Sequence, residues 1–413
     1  MKNCFSAADE ADEALWAAFV SSHGLLHDYV GELPTPEDCR DCRPNAMGWW
    51  SPIENGPMFT GQYLVGLCHK ARRTGDARDA ERCRRLAEGL LLCAEVPETP
   101  GMICRGVGSD GRCHYPLGST DQTLPWFEGL DAFLRSGLCA EGLRKRIVAR
   151  LVEIGNALKR TGWRMPCDGK FSSEFRGEMK DDSLPFRGAT AYLFVLRALA
   201  DATGDGTWRS LYRTARDETY PGLSLTRLEV CECGYRIDTE DAGFKMEPHL
   251  FWIYTPASLA LRELANREEE PMAAAKFRAG LDKGAVAASR FVLTAKDYPN
   301  TSEHPFKYAN WRQGWIWRPQ STQKEAEAVA GDGNPEVLGT RKELERRTMT
   351  APLAAAVICA CAGRNAAEIA AAVTHYDYST PSLCEFFLAP LAVELVAAAK
   401  GARHCLAPSI PMW

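Results

Sequence analysis

Apolar residues recur along most of this chain at the spacing of one helical face. In 139–160 the residues Leu143, Ile147, Leu151, Ile154 and Leu158 form one stripe, and beyond the polar start of GSTDQTLPWFEGLDAF (118–133) so do Trp126, Leu130, Phe133 and Leu134. Such spacing puts side chains on a common side of a 3.6-residue helix. The same period predicts helices over 10–22, 58–73, 78–94, 123–135, 139–160, 186–202, 207–217, 248–266, 271–295, 340–363, 365–374 and 382–399. Turn residues join them in pairs. Thr74-Gly75-Asp76 offers a glycine to end one helix and an acid to cap the next, Thr203-Gly204-Asp205 repeats the arrangement, and Ser136-Gly137 separates a third pair. Pro256, Pro352 and Pro390 should kink or trim three of the helices. Strand patterns are brief and scattered.

About twelve helices in about six hairpins, without the repeating unit of a solenoid, predict an all-α fold in which residues 1–413 form one (α/α)6 toroid domain. Segments 23–57, 95–122, 161–185, 218–247 and 296–336 join one hairpin to the next, and loops of that length are usually either functional or disordered. Their content argues against disorder: Trp49, Trp50, Trp163, Trp311, Trp315 and Trp317 lie in them with Arg105, Arg164, Arg312, Arg318 and many acids. If the hairpins alternate around a ring, these loops gather at one end as an aromatic, charged funnel.

Composition narrows the functional classes. The chain has 413 residues, is 46% hydrophobic and 25% charged, and carries a net charge of −5, the profile of an ordinary soluble protein with no basic field for nucleic acid. The start, MKNCFSAADEADEALWAAF, is acidic and has no apolar leader core, and no uninterrupted apolar run is long enough to span a bilayer, so no membrane partner is expected. Among 16 cysteines, Cys68, Cys83, Cys93, Cys359 and Cys361 sit on apolar helical faces, which favours reduced thiols and a cytoplasmic location. Only Cys39 and Cys42 have the Cys-x-x-Cys spacing; Cys231 and Cys233 do not supply the second knuckle of a structural zinc site, and no metal is expected. GVGSDG (106–111) lacks the strand-loop-helix setting of a nucleotide site, and GDGNPEVLG (331–339) lacks the later acid of a calcium loop, so no cofactor is expected.

Two stretches carry a resemblance: PNAMGWWSPIENGPMFTGQYLVGLCHKARRTGD, from Pro44 to Asp76, and GMICRGVGSDGRCHYPLGSTDQTLPWFEGLDAF, from Gly101 to Phe133. They resemble the six-hairpin glycosidase-like superfamily of (α/α)6 toroids, which includes unsaturated uronyl hydrolases. The resemblance implies a carbohydrate-active enzyme, foremost a glycoside hydrolase whose substrate is an oligosaccharide that can contain uronic acid. Relatives that epimerise or eliminate share the scaffold, and fold alone does not choose among them.

The side chains of the loops suit a sugar. Indoles cover the apolar faces of pyranose rings, amides and carboxylates take hydroxyls, and arginines pair with a uronate carboxylate. Substrate contacts are therefore expected from Asp28, Trp49, Trp50, Arg105, His114, His249, Trp311, Arg312 and Trp315. One of the neighbours Trp49 and Trp50 should be buried and the other face the funnel, while 311–318 reads equally as a short strand packed on the toroid. Hydrolysis needs a protonated and an ionised carboxyl group. Asp121 is the leading candidate, with Glu54, another acid just ahead of a helix, as its partner. Asp121 equally fits a helix cap, accepting from orphan N–H groups at the positive end of the dipole. Asp28, Asp110, Asp182 and Glu247 follow as further candidate acids, each with a structural alternative: Asp28 and Asp110 read as turn residues, Asp182 as a cap and Glu247 as a first-turn acid beside Pro248. An isomerase or lyase would instead use His114, His249 or Tyr115 as base, and a non-catalytic toroid would bind glycan or protein with the same surface.

Overall fold

The computed structural model describes residues 3–238, 251–301, 311–312, 317–337 and 340–405, and it is predominantly helical. The chain opens with α1 (Cys4–Ala18), α2 (Pro36–Asp41), α3 (Gly56–Thr74) and α4 (Ala77–Glu95), followed by α5 (Thr120–Arg135) and α6 (Glu141–Arg160). A small antiparallel pair, β1 (Arg164–Pro166) and β2 (Phe175–Glu178), precedes α7 (Pro185–Thr203), α8 (Gly206–Asp217) and α9 (Arg227–Cys233). The rest comprises α10 (Phe251–Arg267), α11 (Pro271–Val292), α12 (Gln323–Val337), α13 (Thr340–Glu345), α14 (Ala351–Cys361), α15 (Ala366–His375) and α16 (Leu388–Cys405).

The expected punctuation is in place. Gly75 and Gly204 each end a helix at φ 69°, and Asp76 and Asp205 accept from Arg78 N and Thr207 N to start the next. Other boundaries differ. The first helix begins at Cys4 rather than near residue 10, because Asn3 caps it by accepting from Ser6 N. Three joining segments hold helices of their own: α2 and α9 each open on a capping box, Thr35 with Asp38 and Thr226 with Glu229, and α12 buries Ala326, Val329 and Ala330. The run expected over 340–363 is broken by a π-helical turn, Arg346–Thr350, just before Pro352. Proline has no amide to give the carbonyl four residues back, and Tyr376 Oη donates to that Thr348 carbonyl at 2.9 Å instead.

Packing follows a circuit. α3 lies against α5, α5 against α7, α7 against α10, α10 against α14, α14 against α16, and α16 against α3. The partner helices lie on this set: α4 on α3, α6 on α5 and α7, α8 on α7, α11 on α10 and α14, α15 on α14 and α16, and α1 on α15 and α16. The α3–α5 crossing is close because both helices offer glycine. A Cβ added to Gly61 would stand 1.9 Å from the Pro125 carbonyl oxygen, and one added to Gly129 would stand 2.8 Å from Gly61 Cα. Only residues without side chains allow that approach, which draws the starts of α3 and α5 together. Among the described residues no helix is long and apolar enough to cross a membrane.

Candidate functional site

A cavity of about 190 Å³ opens where α3, α5, α10 and α16 begin. Its apolar wall includes Trp49, Trp50, Trp252 and Phe387, and its polar wall includes Glu54, Asp121, Glu385, Arg105 and Arg346. The helix starts turn their positive dipole ends this way, which favours negative charge.

Glu54 stands two residues ahead of α3. Its carboxylate accepts from the Trp50 backbone N–H at 2.9 Å, and its carbonyl accepts from Arg105 Nη1 at 3.0 Å. Arg105 also donates from Nη2 to Ser119 Oγ at 3.0 Å, and Ser119 is the N-cap residue of α5. One buried guanidinium therefore ties Glu54 to the helix start that carries Asp121. Burial and the neighbouring Arg176 pull the pKa of Arg105 down to about 10. Asp121 is the second residue of α5 and caps nothing, which corrects the capping alternative; its Oδ1 accepts from Arg187 Nη1 at 3.4 Å. Arg187 is itself fixed by Asp182 through two bonds of 2.8 Å.

The electrostatics separate the acids. Burial would raise Glu54, but Lys342, Arg346, the Trp50 N–H and Arg105 outweigh it and hold the carboxylate below its ordinary range. Asp28 lies behind the wall, 6% exposed, accepting from Asn55 N at 2.8 Å and Asn55 Nδ2 at 2.7 Å. Burial, reinforced by the charge of Glu54, pushes Asp28 up to about 8. Lys342, buried and 4.3 Å from the Trp50 ring centre, is pushed down to about 7 by burial and by Arg346. Neighbouring ionisable groups thus hold different protonation states around neutral pH, as acid-base chemistry requires.

The cavity unites Asp121, Glu54, Trp49, Trp50 and Arg105 from the sequence-based set. Of the tryptophan pair, Trp50 is buried and Trp49 half-buried, their rings 6.2 Å apart. Trp311 is packed behind Trp50 with Tyr29 and Leu383, its Nε1 donating to the Glu32 carbonyl, and Arg312 pairs with Glu32 and Asp38. His114 lies outside the lining, bonded through Nε2 to Asp168 at 3.0 Å. Asp110 closes a turn by accepting from Arg112 N and Cys113 N, and Asp182 accepts from Leu184 N at the start of α7. His249, Trp315 and Glu247 lie outside the described residues.

Trp252, Arg346, Thr350 and Glu385 also line the cavity, and no sequence signal in the long loops pointed to them. They belong to helix starts and to the π turn, so their functional face is written in helical period and reads as core. Among the described residues no group of three His, Cys, Asp or Glu side chains is disposed to hold a metal, and the cysteines whose side chains are described are free thiols. No protein-family model, curated protein or solved structure matches the chain.

Proposed function

We propose that the helical circuit is an (α/α)6 toroid forming one domain, and that the protein is a carbohydrate-active enzyme, foremost a glycoside hydrolase. One observation carries this reading: Glu54 and Asp121 share a single indole-walled cavity at the helix starts. In a hydrolytic cycle Glu54, held ionised by the cations around it, serves as base or nucleophile. Asp121 delivers the proton to the departing glycosidic oxygen, and water supplies the new bond at the anomeric carbon. Trp49, Trp50 and Trp252 offer flat faces to a sugar ring, and Arg105 and Arg346 favour a substrate that carries a uronate carboxylate.

The test is a panel of neutral and uronate-containing oligosaccharides, read by reducing-end release and by product mass. Hydrolysis adds one water to the products, whereas an elimination leaves their summed mass equal to that of the substrate. Binding without turnover across the panel would replace this reading with that of a glycan-binding toroid, and neither binding nor turnover would overturn the carbohydrate assignment.

A further inference from the structure

A second cavity, of about 200 Å³, lies further along α3, α5 and α10, towards their C-terminal ends. The first cavity is lined by Gln62 and Thr255, and this one by Val65 and Leu259 one turn on, so the two follow each other along the same helices. Glu128 of α5 lines the second cavity, 3% exposed, and among the described residues neither of its carboxyl oxygens has a hydrogen-bond partner. The backbone of Ala260 offers it no more than a weak contact. An unpartnered buried carboxyl group is costly as a charge and incomplete even when neutral. Burial, together with the nearby Glu263, drives its pKa well above the ordinary range. Glu128 is thus a neutral carboxyl with one proton to donate and lone pairs to accept.

The wall around it carries surplus positive charge. Asp131 and Glu263 are taken up by cations: Arg135 bonds to Asp131 at 3.1 Å and to Glu263, Arg262 bonds to Glu263 at 2.6 Å, and Arg267 lies 3.0 Å from Asp131 and 3.2 Å from Asp201. Nη2 of Arg267 makes that approach outside hydrogen-bond geometry and so keeps a donor in hand. Arg72 stands exposed at the mouth, with no ion pair among the described residues. With Glu128 neutral, four lining guanidinium groups face the carboxylates of Asp131 and Glu263 and, behind Arg267, that of Asp201, which leaves one positive charge in surplus. The apolar part of the lining includes Val65, Phe194 and Leu259.

We propose that this cavity is a second ligand site, which takes a small organic monoanion: a carboxylate met by Arg72, a short aliphatic body, and a hydroxyl or carbonyl group hydrogen-bonded to Glu128. The site is independent of the carbohydrate reading, because it shares no lining residue with the first cavity.

Saturation-transfer NMR on the full chain tests it with three probes of one shape: 2-hydroxyisovalerate, its neutral amide, and the cationic amino alcohol valinol. Saturation of the hydroxy acid alone is expected, with Arg72→Ala weakening it by about tenfold or more, the usual worth of a charge-assisted contact. Glu128→Gln keeps a neutral donor and acceptor and should hold affinity within about threefold, whereas Glu128→Leu loses at least about tenfold. Asp121→Asn should leave binding unchanged, which separates this site from the first. Because Arg72 is exposed, its variant stays folded even if a change at Glu128 does not. Preference for valinol, indifference to Arg72→Ala, sensitivity to Asp121→Asn, or no saturation from the acid at 10 mM would each overturn the proposal.

Discussion

The backbone N–H of Trp50 donates to the carboxylate of Glu54 at 2.9 Å, from a residue held at φ 76°. That left-handed conformation is costly for a bulky side chain and persists only where its surroundings impose it. Here the Trp50 carbonyl accepts from Tyr29 Oη at 2.7 Å, and its indole Nε1 donates to the Ala330 carbonyl at 2.9 Å. The indole wall and the ionised acid are therefore set by one strained residue.

Glu54 should govern the acidic limb of activity. Because its pKa is held below the ordinary carboxylate range, kcat/KM on the substrate identified by the panel should stay level through the range where an ordinary glutamate titrates and fall only below it. Glu54→Gln should remove at least about a hundredfold of kcat/KM together with that limb. A limb that persists in Glu54→Gln would assign the base to another group.

Asp28 makes the opposite prediction for stability. Its folded-state pKa, raised to about 8, exceeds the value of an unfolded aspartate, so between about pH 4 and pH 8 the native state binds the extra proton. Stability must then fall as pH rises through this window, by at most about 1.4 kcal/mol per pH unit. Asp28→Asn loses a hydrogen bond to Asn55 and lowers stability overall, but it should flatten the slope. Urea midpoints at pH 5 and pH 7 check this, and an unchanged slope refutes it.

His114 and Asp168 form a structural tie. Burial would lower the histidine, but its bond to Asp168 outweighs this and raises it to about 9. Asp168 in turn accepts from Glu98 N, Thr99 N and Thr99 Oγ1, joining two loop segments. A raised histidine pKa gives stability that is fully present below about pH 6.5 and is lost as pH approaches 9. His114→Gln should destabilise at pH 6 and matter little at pH 9.5, with kcat/KM at neutral pH within about threefold of the parent. A large loss of activity with unchanged stability would return His114 to the substrate site.

Legibility divided along physical lines. Long stripes such as Leu143 to Leu158, and caps such as Gly75 with Asp76, were readable because helix period and capping act locally. The short helices α2 and α9 were missed for want of periodic length, although their capping boxes, Thr35 with Asp38 and Thr226 with Glu229, stood in the sequence. At the site, Glu54 and Asp121 were readable because loops that end in helices present acids at one end of a bundle. Trp252 and Glu385 were not, since an aromatic or an acid inside an apolar run is indistinguishable from core or a capped start until the helices are arranged. Trp311 and Arg312 have site-like chemistry, but they are engaged with Tyr29, Glu32 and Asp38 behind the wall.

Trp49 is the indole best placed to report binding. It is half-buried, with the Arg176 guanidinium 5.4 Å from its ring centre and the Trp50 ring edge-on. Trp49→Ala should raise KM about tenfold and change kcat by less than about threefold, the pattern of contact made equally in ground and transition states. Isothermal titration with a non-hydrolysed oligosaccharide should show the same loss. An unchanged KM would move the sugar to the Trp252 side of the cavity.

Asp121→Asn separates structure from chemistry at the start of α5. Ser119 occupies the N-cap position and Asp121 makes no capping bond, so the carboxylate stabilises the helix only through the dipole, worth about 0.3–1 kcal/mol. Its contact with Arg187 is long at 3.4 Å, and Arg187 keeps both bonds to Asp182 when it is removed. The side chain is 21% exposed, so solvent further weakens what that ion pair contributes. The melting temperature should therefore fall by no more than a few degrees. Activity should respond differently, because an amide of the same shape cannot deliver a proton to a departing oxygen, and kcat should drop by about a hundredfold to ten-thousandfold. A substrate with an activated leaving group, which needs no protonation to depart, should recover much of that loss in the variant. Full turnover by Asp121→Asn on the ordinary substrate would remove Asp121 from the chemistry. A loss not recovered with the activated leaving group would make it a binding contact rather than the acid.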